Sequence, residues 1–371
     1  MVIAGGGPAG LTLSILCADA GYQVLLIEKE QYPFHKVCGE YVSMESYDFI
    51  RRLGLPLHEM NLPVINTLQL SDAKGRLYAF DLSLGGFGIS RFTLDNALYQ
   101  IAKSKQVELV AQTKVLDMIF EKDKFIIHTT KENYQASVAA AAYGKRSNID
   151  VKWQREFILT KPAKLNNYIG VKYHIRYAHP ENLIALHNFK NGYCGISKIE
   201  DEKCCLCYLT TAENLQSNEN SIQQMEQQML WKNPRLKEIF SNAEFLYKDP
   251  LVISQISFSQ KSQSENHILM IGDAAGMIAP LCGNGMSMAM YAAKIAFENI
   301  HLFLQKKISA TQMETKYKNE WRQLFQRRLF IGRSVQRFFG NNISTSLFLK
   351  LMKSNKWLAE KIIRSTHGTA F

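Results

Sequence analysis

The chain opens on Val2-Ile3-Ala4-Gly5-Gly6-Gly7-Pro8-Ala9-Gly10, continues as an apolar run to Ala20, and reaches Tyr22-Gln23-Val24-Leu25-Leu26-Ile27-Glu28. No other stretch limits the possible folds so tightly. It predicts a strand, a glycine turn, a helix and a second strand ending in a carboxylate. Gly5, Gly7 and Gly10 stand in the GxGxxG spacing: the first permits a tight turn, the second lets backbone approach a pyrophosphate, and the third lets the helix pack closely on the strand. Phosphate then faces a helix N-terminus, where unpaired N–H groups and the helix dipole favour negative charge. Seventeen residues separate Gly10 from Glu28, which puts that carboxylate where a ribose diol needs an acceptor. Strand, helix and acid together point to a dinucleotide site, where glycine spacing alone would not. The first strand has only three residues before Gly5, Val2 to Ala4, so either it is unusually short or the start is late.

A chain of 371 residues has room for two domains, or for one large α/β domain with an insertion. Hydrophobic residues make up 46% and charged residues 21%, the balance of a folded soluble protein rather than a disordered one. The longest apolar candidate, 268–297, is interrupted by Asp273, Pro280 and several glycines, so no membrane span is expected. No signal peptide precedes the glycine loop, and seven cysteines lack a framework spacing; a reducing cytoplasm is the expected location.

Along the chain, Tyr32 to Glu40 forms a loop bracketed by Pro33 and Gly39, and Cys38-Gly39-Glu40 is expected to open a helix running through Met44 and Phe49 to Leu53. Because the loop leaves just after the ribose acceptor, it can lie along an extended cofactor. Short alternating segments between Val64 and Ile89 read as strands. A helix through Ala102 follows Arg91, with Thr93 or Asp95 as its cap. Strands are expected near 107–115 and 125–130, with 138–142 returning to the core. Tyr168 to Tyr177, Leu183 to Phe189, Tyr193 to Ile199 and Cys204 to Thr211 read as a sheet with a hairpin turn at Asn191-Gly192, and a helix from Asn220 to Leu230 covers one face.

A strand at His267 to Ile271 runs straight into Gly272-Asp273-Ala274-Ala275-Gly276, then Pro280 and Gly283-Asn284-Gly285-Met286, before a long helix from Ser287 to Phe303. So many glycines are entropically costly unless backbone must approach a ligand closely. The formal charge of +11 falls in 301–371, which holds fourteen Lys or Arg against Glu314, Glu320 and Glu360. Two readings of this helical tail stay open. Arg327, Arg328, Arg333 and Arg337 among Leu324, Phe325, Phe330, Ile331, Phe338 and Phe339 match a basic amphipathic helix resting on anionic membrane. Alternatively the apolar face closes the substrate domain and the charges are solvated, which is the preferred account of the packing. Nucleic acid is not expected, since no recognition motif accompanies the charge.

The two distant glycine stretches together resemble the FAD-dependent family of para-hydroxybenzoate hydroxylase, geranylgeranyl reductase and the tryptophan halogenases. The resemblance spans about residues 1 to 300. It implies an α/β fold: a discontinuous Rossmann-like FAD-binding domain (1–62, 91–165 and 250–300), an antiparallel β-sheet substrate domain (63–90 and 166–249) and the basic helical region 301–371. It implies that Gly5, Gly7, Pro8, Ala9, Gly10, Glu28 and Lys29 hold the ADP half of FAD. Lys36, Cys38, Gly39, Arg91, Val115 and Gly144 then lie along the cofactor. Gly272, Asp273, Gly276, Pro280, Gly283, Asn284, Gly285 and Met286 hold ribityl and pyrophosphate and set a helix end beside the flavin, where its dipole favours the reduced anion.

Lys36-Val37-Cys38-Gly39-Glu40 looks most like the geranylgeranyl reductase branch, where a Cys-Gly pair lies near the flavin; Cys38 is the catalytic candidate, against a small packed residue at a helix start. Tyr143-Gly144 stands where the family usually has Asp-Gly. The branch's aromatic substrate motif is matched at best by Gly192-Tyr193-Cys194-Gly195-Ile196. The absence of a Trp-x-Trp-x-x-Pro segment argues against halogenation. No metal site is expected, because Cys204, Cys205 and Cys207 alternate across a strand with no partner pair at finger-like spacing. His35 reads as a surface histidine rather than an acid or base, and His174, His179 and His187 carry no assignment.

The expected function is an FAD-dependent oxidoreductase acting on a small apolar or aromatic substrate of lipid or secondary metabolism. It acts either by hydride transfer to a C=C bond or by flavin peroxide oxygenation. No second GxGxxG unit is present, so electrons come from transient NAD(P)H contact or a separate electron donor. The rival from another class is a non-catalytic, membrane-associated FAD- or nucleotide-binding protein.

Overall fold

Runs of three buried apolar residues build the first sheet. Val2–Ala4 pairs in parallel with Leu25–Ile27 on one side and Ala139–Ala141 on the other. Glu108–Val110 and Ile268–Met270 extend it in parallel, and Ser264–Glu265 closes one edge antiparallel. Parallel neighbours require crossovers, and the helix Pro8–Asp19 is the first. It is buried almost all round, because it packs against both Arg91–Ser104 and Gly285–Leu304 as well as the sheet. A uniformly apolar helix is the one that can sit there. These relations come from a computed structural model that describes residues 1–159 and 167–371; the boundary expected at 165/166 lies outside them.

The second sheet has nine strands. Tyr168–Arg176, Cys204–Thr211, Gly192–Lys198 and Leu183–Phe189 run antiparallel in that order. Leu183–Phe189 then pairs in parallel with Val64–Ser71, among the described residues the one parallel junction of an otherwise antiparallel sheet. Leu77–Gly88 and Tyr41–Ser43 complete one edge, and Glu244–Phe245 and Leu251–Ile256 flank Tyr168–Arg176. A small sheet of Val115–Glu121, Lys124–Thr129 and Asn133–Ala136 stands apart.

Three local expectations are corrected. No helix opens at Cys38: Glu40 takes a left-handed φ of 55°, and Tyr41–Ser43 is a strand followed by the short helix Tyr47–Arg52. Ser90, not Thr93 or Asp95, caps Arg91–Ser104, its Oγ accepting the Thr93 N–H at 3.0 Å. The helix expected over Asn220 to Leu230 is two short turns, Ile222–Met225 and a π-turn Glu226–Leu230.

The basic region forms Ala310–Gln336, Asn342–Ser354 and Lys356–Thr366. Tyr317, Trp321 and Phe325 bury one face of the first in the main core, and the Tyr317 hydroxyl donates to the Met270 carbonyl at 2.7 Å. Val335, Phe348, Leu349 and Met352 join a cluster with Leu70 and Leu186 of the large sheet. The apolar face therefore closes the molecule. Among the described residues no helix is long and apolar enough to cross a membrane.

Candidate functional site

The first glycine turn is shaped by contacts that exclude a Cβ. Gly5 has φ +108°, and a Cβ there would lie 2.5 Å from the Ala142 carbonyl oxygen; at Gly10 it would lie 1.9 Å from the Gly5 carbonyl oxygen. Pro8–Asp19 begins at Gly7 with no side-chain cap and no acid in its first turn, so its amide end is available to an anion. Glu28 is buried, its Oε2 accepting the Gly6 N–H at 2.7 Å and its Oε1 that of Glu30 at 3.2 Å. Each oxygen keeps a second lone pair for a hydroxyl. Lys29 is exposed and meets Glu30 at 3.3 Å.

Gly272, at φ +63°, brings the second glycine stretch against the first: a Cβ there would sit 3.1 Å from that of Ala9. Arg91 completes the junction. Its Nη2 lies 3.3 Å from the Cβ position of Gly7, and its guanidinium grips Asp95 through Nε (2.8 Å) and Nη2 (2.5 Å). Burial opposes the charge of Arg91, but Asp95 outweighs it and raises the guanidinium pKa, with Asp273 adding to the effect. At the far end of the second stretch, Gly283 turns at φ +64° against the Tyr41 ring, and Asn284 starts Gly285–Leu304 without a side-chain cap or first-turn acid. The buried Oδ1 of Asn284 has no hydrogen-bond partner among the described residues, while its Nδ2 donates to the Thr366 carbonyl at 3.1 Å. Pro280 is exposed and Met286 buried.

Two uncapped helix ends, a ribose-ready carboxylate and an orphaned acceptor suit a dinucleotide carrying a ring N–H. These residues fit FAD. Gly5, Gly7, Pro8, Ala9, Gly10, Glu28, Arg91, Gly272 and Asp273 come together; Gly276 instead faces the Trp321 ring, and Val115 is a buried strand start. Gly144 (φ +86°) has open space around its Cβ position, as has the exposed Gly39.

The most charged part of the interior was not assigned from sequence. Glu40 is fully buried; Lys172 donates to its Oε1, His174 Nε2 meets its Oε2 at 2.6 Å, and the Arg91 N–H donates to Oε1 at 2.8 Å. Burial alone would raise the Glu40 pKa, yet Lys172 and His174 overcome it and hold the carboxyl down at about 2. Lys172 also donates to the Lys36 carbonyl at 3.1 Å, Lys145 to that of Val37 at 3.1 Å, and the Cys205 thiol to that of Cys38 at 3.3 Å. The 36–40 loop is thus pinned from below by four side chains. From His174 the network continues through Tyr247 (2.8 Å) to His35 Nε2 (2.9 Å). His35 is half-buried, stacked on Phe92, and pushed down to about 4 by burial with Lys172 and His174 adding to it, so it is not the surface histidine expected. Among the described residues Glu40, His174 and Cys205 form the one ligand-like trio, their donor atoms within 4.8 Å of one another, but the Lys172 ammonium already balances that carboxylate.

Two further cations brace the second glycine stretch through carbonyls that no sequence pattern marks. Arg155, 2% exposed, donates to Asp150 (2.8 Å), the Tyr143 hydroxyl (3.2 Å) and the Ala274 carbonyl (3.0 Å), tying Tyr143-Gly144 to the second glycine stretch. Lys261 bridges the carbonyls of Lys145 (3.1 Å) and Asp273 (2.9 Å), and burial pushes its ammonium down to about 8.

A cavity with about 630 Å³ of empty space, part of it open to solvent, begins where this cradle ends. Leu281, Cys282 and Gly283 form one wall, Leu68, Leu70, Ile184 and Leu186 of the large sheet its floor, and Phe339, Phe348, Met352, Ile362 and Ile363 its roof. Its few polar side chains are Tyr41, Thr366 and His367. The Tyr41 hydroxyl is buried without a hydrogen-bond partner among the described residues. Cys38 is not among the lining residues; it is half-buried on the loop beside Arg91 and Lys172.

Residues 1–149 match the family described as FAD binding domain. Over 347 residues the chain is 24% identical to a digeranylgeranylglycerophospholipid reductase of Methanosarcina acetivorans, covering 87% of this chain and 80% of that one. It is 24% identical over 362 residues to conditioned medium factor receptor 1 of Dictyostelium discoideum, covering 90% and 69% respectively. A solved geranylgeranyl bacteriochlorophyll reductase-like protein of Thermoplasma acidophilum superposes with a TM-score of 0.80 at 16% identity, over 98% of this chain and 94% of the other. The family resemblance and the fold read from the two glycine stretches are borne out.

Proposed function

From an FAD binding domain carried on an FAD-dependent oxidoreductase fold, we propose that this chain reduces a carbon–carbon double bond of an apolar, isoprenoid-like lipid. The observation that carries the reading is the cavity: its walls are almost wholly aliphatic and aromatic, and it meets the Leu281–Gly283 turn where the cofactor cradle ends. The reductase of Methanosarcina supports the substrate class.

When bound, FAD supplies a two-electron couple able to give up a hydride. The chain's own residues do the rest. Gly5, Gly7 and Gly10 admit the pyrophosphate, Glu28 receives the ribose, and Arg91 with Asp273 spans the junction of the two stretches. The apolar walls exclude water and orient the double bond. Saturating it takes a hydride at one carbon and a proton at the other; Tyr41, which borders the cavity and whose buried hydroxyl has no partner among the described residues, is the proton donor we assign. Cys38, on the loop pinned by Lys172 and Cys205 and outside the cavity lining, is the second candidate. Electrons enter from NAD(P)H or a separate donor.

The test uses FAD-loaded protein, reduced with dithionite under nitrogen and offered digeranylgeranylglycerophospholipid. The expected product is two hydrogens heavier and forms without oxygen. A product that appears only in air and is one oxygen heavier overturns the reductase reading in favour of an oxygenase. Tyr41→Phe should lower turnover by about a hundredfold, the scale of a lost proton donor, with FAD content unchanged; Cys38→Ser measured beside it separates the two candidates.

A further inference from the structure

One helix of the basic region has two apolar faces, and only one of them is used. In Asn342–Ser354, Thr345, Phe348, Leu349 and Met352 are buried. Ile343, Leu347 and Leu351 stand four residues apart on the other side, 82%, 68% and 51% exposed, and Trp357 just beyond is 64% exposed. Single exposed hydrophobics are ordinary, but a contiguous row is not.

We propose that this row docks on the surface of an anionic lipid bilayer. Charge decides the occupant. Residues 321–359 hold eight Lys or Arg and no Asp or Glu; of these Arg328 is buried against Glu45 and the other seven remain. Lys350 and Lys353 are exposed on the same helix, and Lys356 and Lys361 flank Trp357, with the Lys361 ammonium 4.5 Å from its ring. The nearest acid in sequence, Glu360, is taken by Arg364 at 2.6 Å, and Asp72, which reaches this helix through Arg76 on Ser346, is taken by that arginine. Aliphatic side chains level with an indole and bordered by lysines match the apolar-to-headgroup boundary, where tryptophan settles and anionic headgroups draw in basic side chains. A second copy of this chain would bring the same cations against each other. Phe348 and Met352, on the opposite face of this helix, form part of the cavity roof, so the docking face and the apolar cavity lie back to back across one helix.

Flotation of the full-length protein with phosphatidylcholine vesicles, with and without phosphatidylglycerol, tests the proposal at low salt. Wild type should float with the anionic vesicles and stay below with neutral ones. Leu347→Glu combined with Leu351→Glu should weaken that binding at least about tenfold. Lys350→Glu with Lys353→Glu should abolish the preference for phosphatidylglycerol, both pairs keeping the wild-type circular dichroism and FAD content. Equal flotation of wild type and the leucine variant overturns the proposal. So does a wild-type protein that ignores vesicles and sediments as a dimer that Leu347→Glu dissociates. Vesicle binding needs no turnover, so failure of the reductase reading leaves this result readable, and the reverse.

Discussion

Glu40 and Lys172 face each other with no water access, and removing either one strands a charge. Breaking a buried pair from one side costs about 3–5 kcal/mol, whereas replacing both partners is often nearly neutral. Glu40→Gln and Lys172→Met should each lower urea-unfolding stability on that scale, and the double variant should lose less than the two combined. The carboxyl is held at about 2 against an ordinary 4.5, so its contribution is complete above pH 4.5 and disappears as pH falls towards 2. The Glu40→Gln penalty should shrink over that window. Lys261 works with the opposite sign. Burial lowers it from 10.5 to about 8, so between those values the unfolded chain holds a proton the folded chain has released, and stability rises with pH. Wild type should gain on Lys261→Met from pH 8 upward in urea titrations; a constant difference would show that this amine is not desolvated. None of these groups was legible beforehand, because each takes its partner from more than ten residues away and a charged residue looks the same in a sequence whether solvated or buried.

At the scale of elements, the first strand–turn–helix–strand unit was legible because its constraints are local: Gly10 meets Gly5, and Glu28 meets Gly6, within one supersecondary motif. The segment after Cys38 was not. Its amphipathic spacing suits a helix, but Lys172 and His174 draw the Glu40 side chain inward, and Tyr41–Ser43 finds strand partners in Gly86–Gly88. The sheet strands of 168–211 were readable from alternation; the parallel junction of Leu183–Phe189 with Val64–Ser71 was not, since register between distant strands leaves no local trace. Caps are a testable detail here. Asn341 Oδ1 accepts the N–H groups of Ile343 (3.0 Å) and Ser344 (3.1 Å) at the start of the helix that roofs the cavity. Asn341→Ala should cost about 1 kcal/mol, read as a lower thermal midpoint without loss of FAD.

Over the whole molecule, three pieces far apart in sequence converge on one cradle, and the basic region closes it. Arg328 reaches Glu45 at 3.3 Å, the Gly368 N–H donates to the same carboxylate at 2.6 Å, and Phe371 stacks on Tyr291 at 4.1 Å. The net charge of the tail was plain in the sequence, but not that its helices roof a cavity, because closure depends on which face meets the sheet. Arg155 is the internal brace between Tyr143 and the second glycine stretch. Arg155→Met should destabilise by about 3–5 kcal/mol through the stranded Asp150 and weaken FAD retention together with stability. The central claim is that the two glycine stretches share one ligand, and flavin-fluorescence titration of the purified chain tests it most directly. The wild type should bind one FAD per chain, and Gly7→Val, at the glycine whose Cβ position meets only the Arg91 Nη2, and Gly272→Val should each abolish that binding while far-UV circular dichroism stays native. A wild-type chain indifferent to FAD, or a folded Gly272→Val variant that binds it as tightly as wild type, would contradict the account.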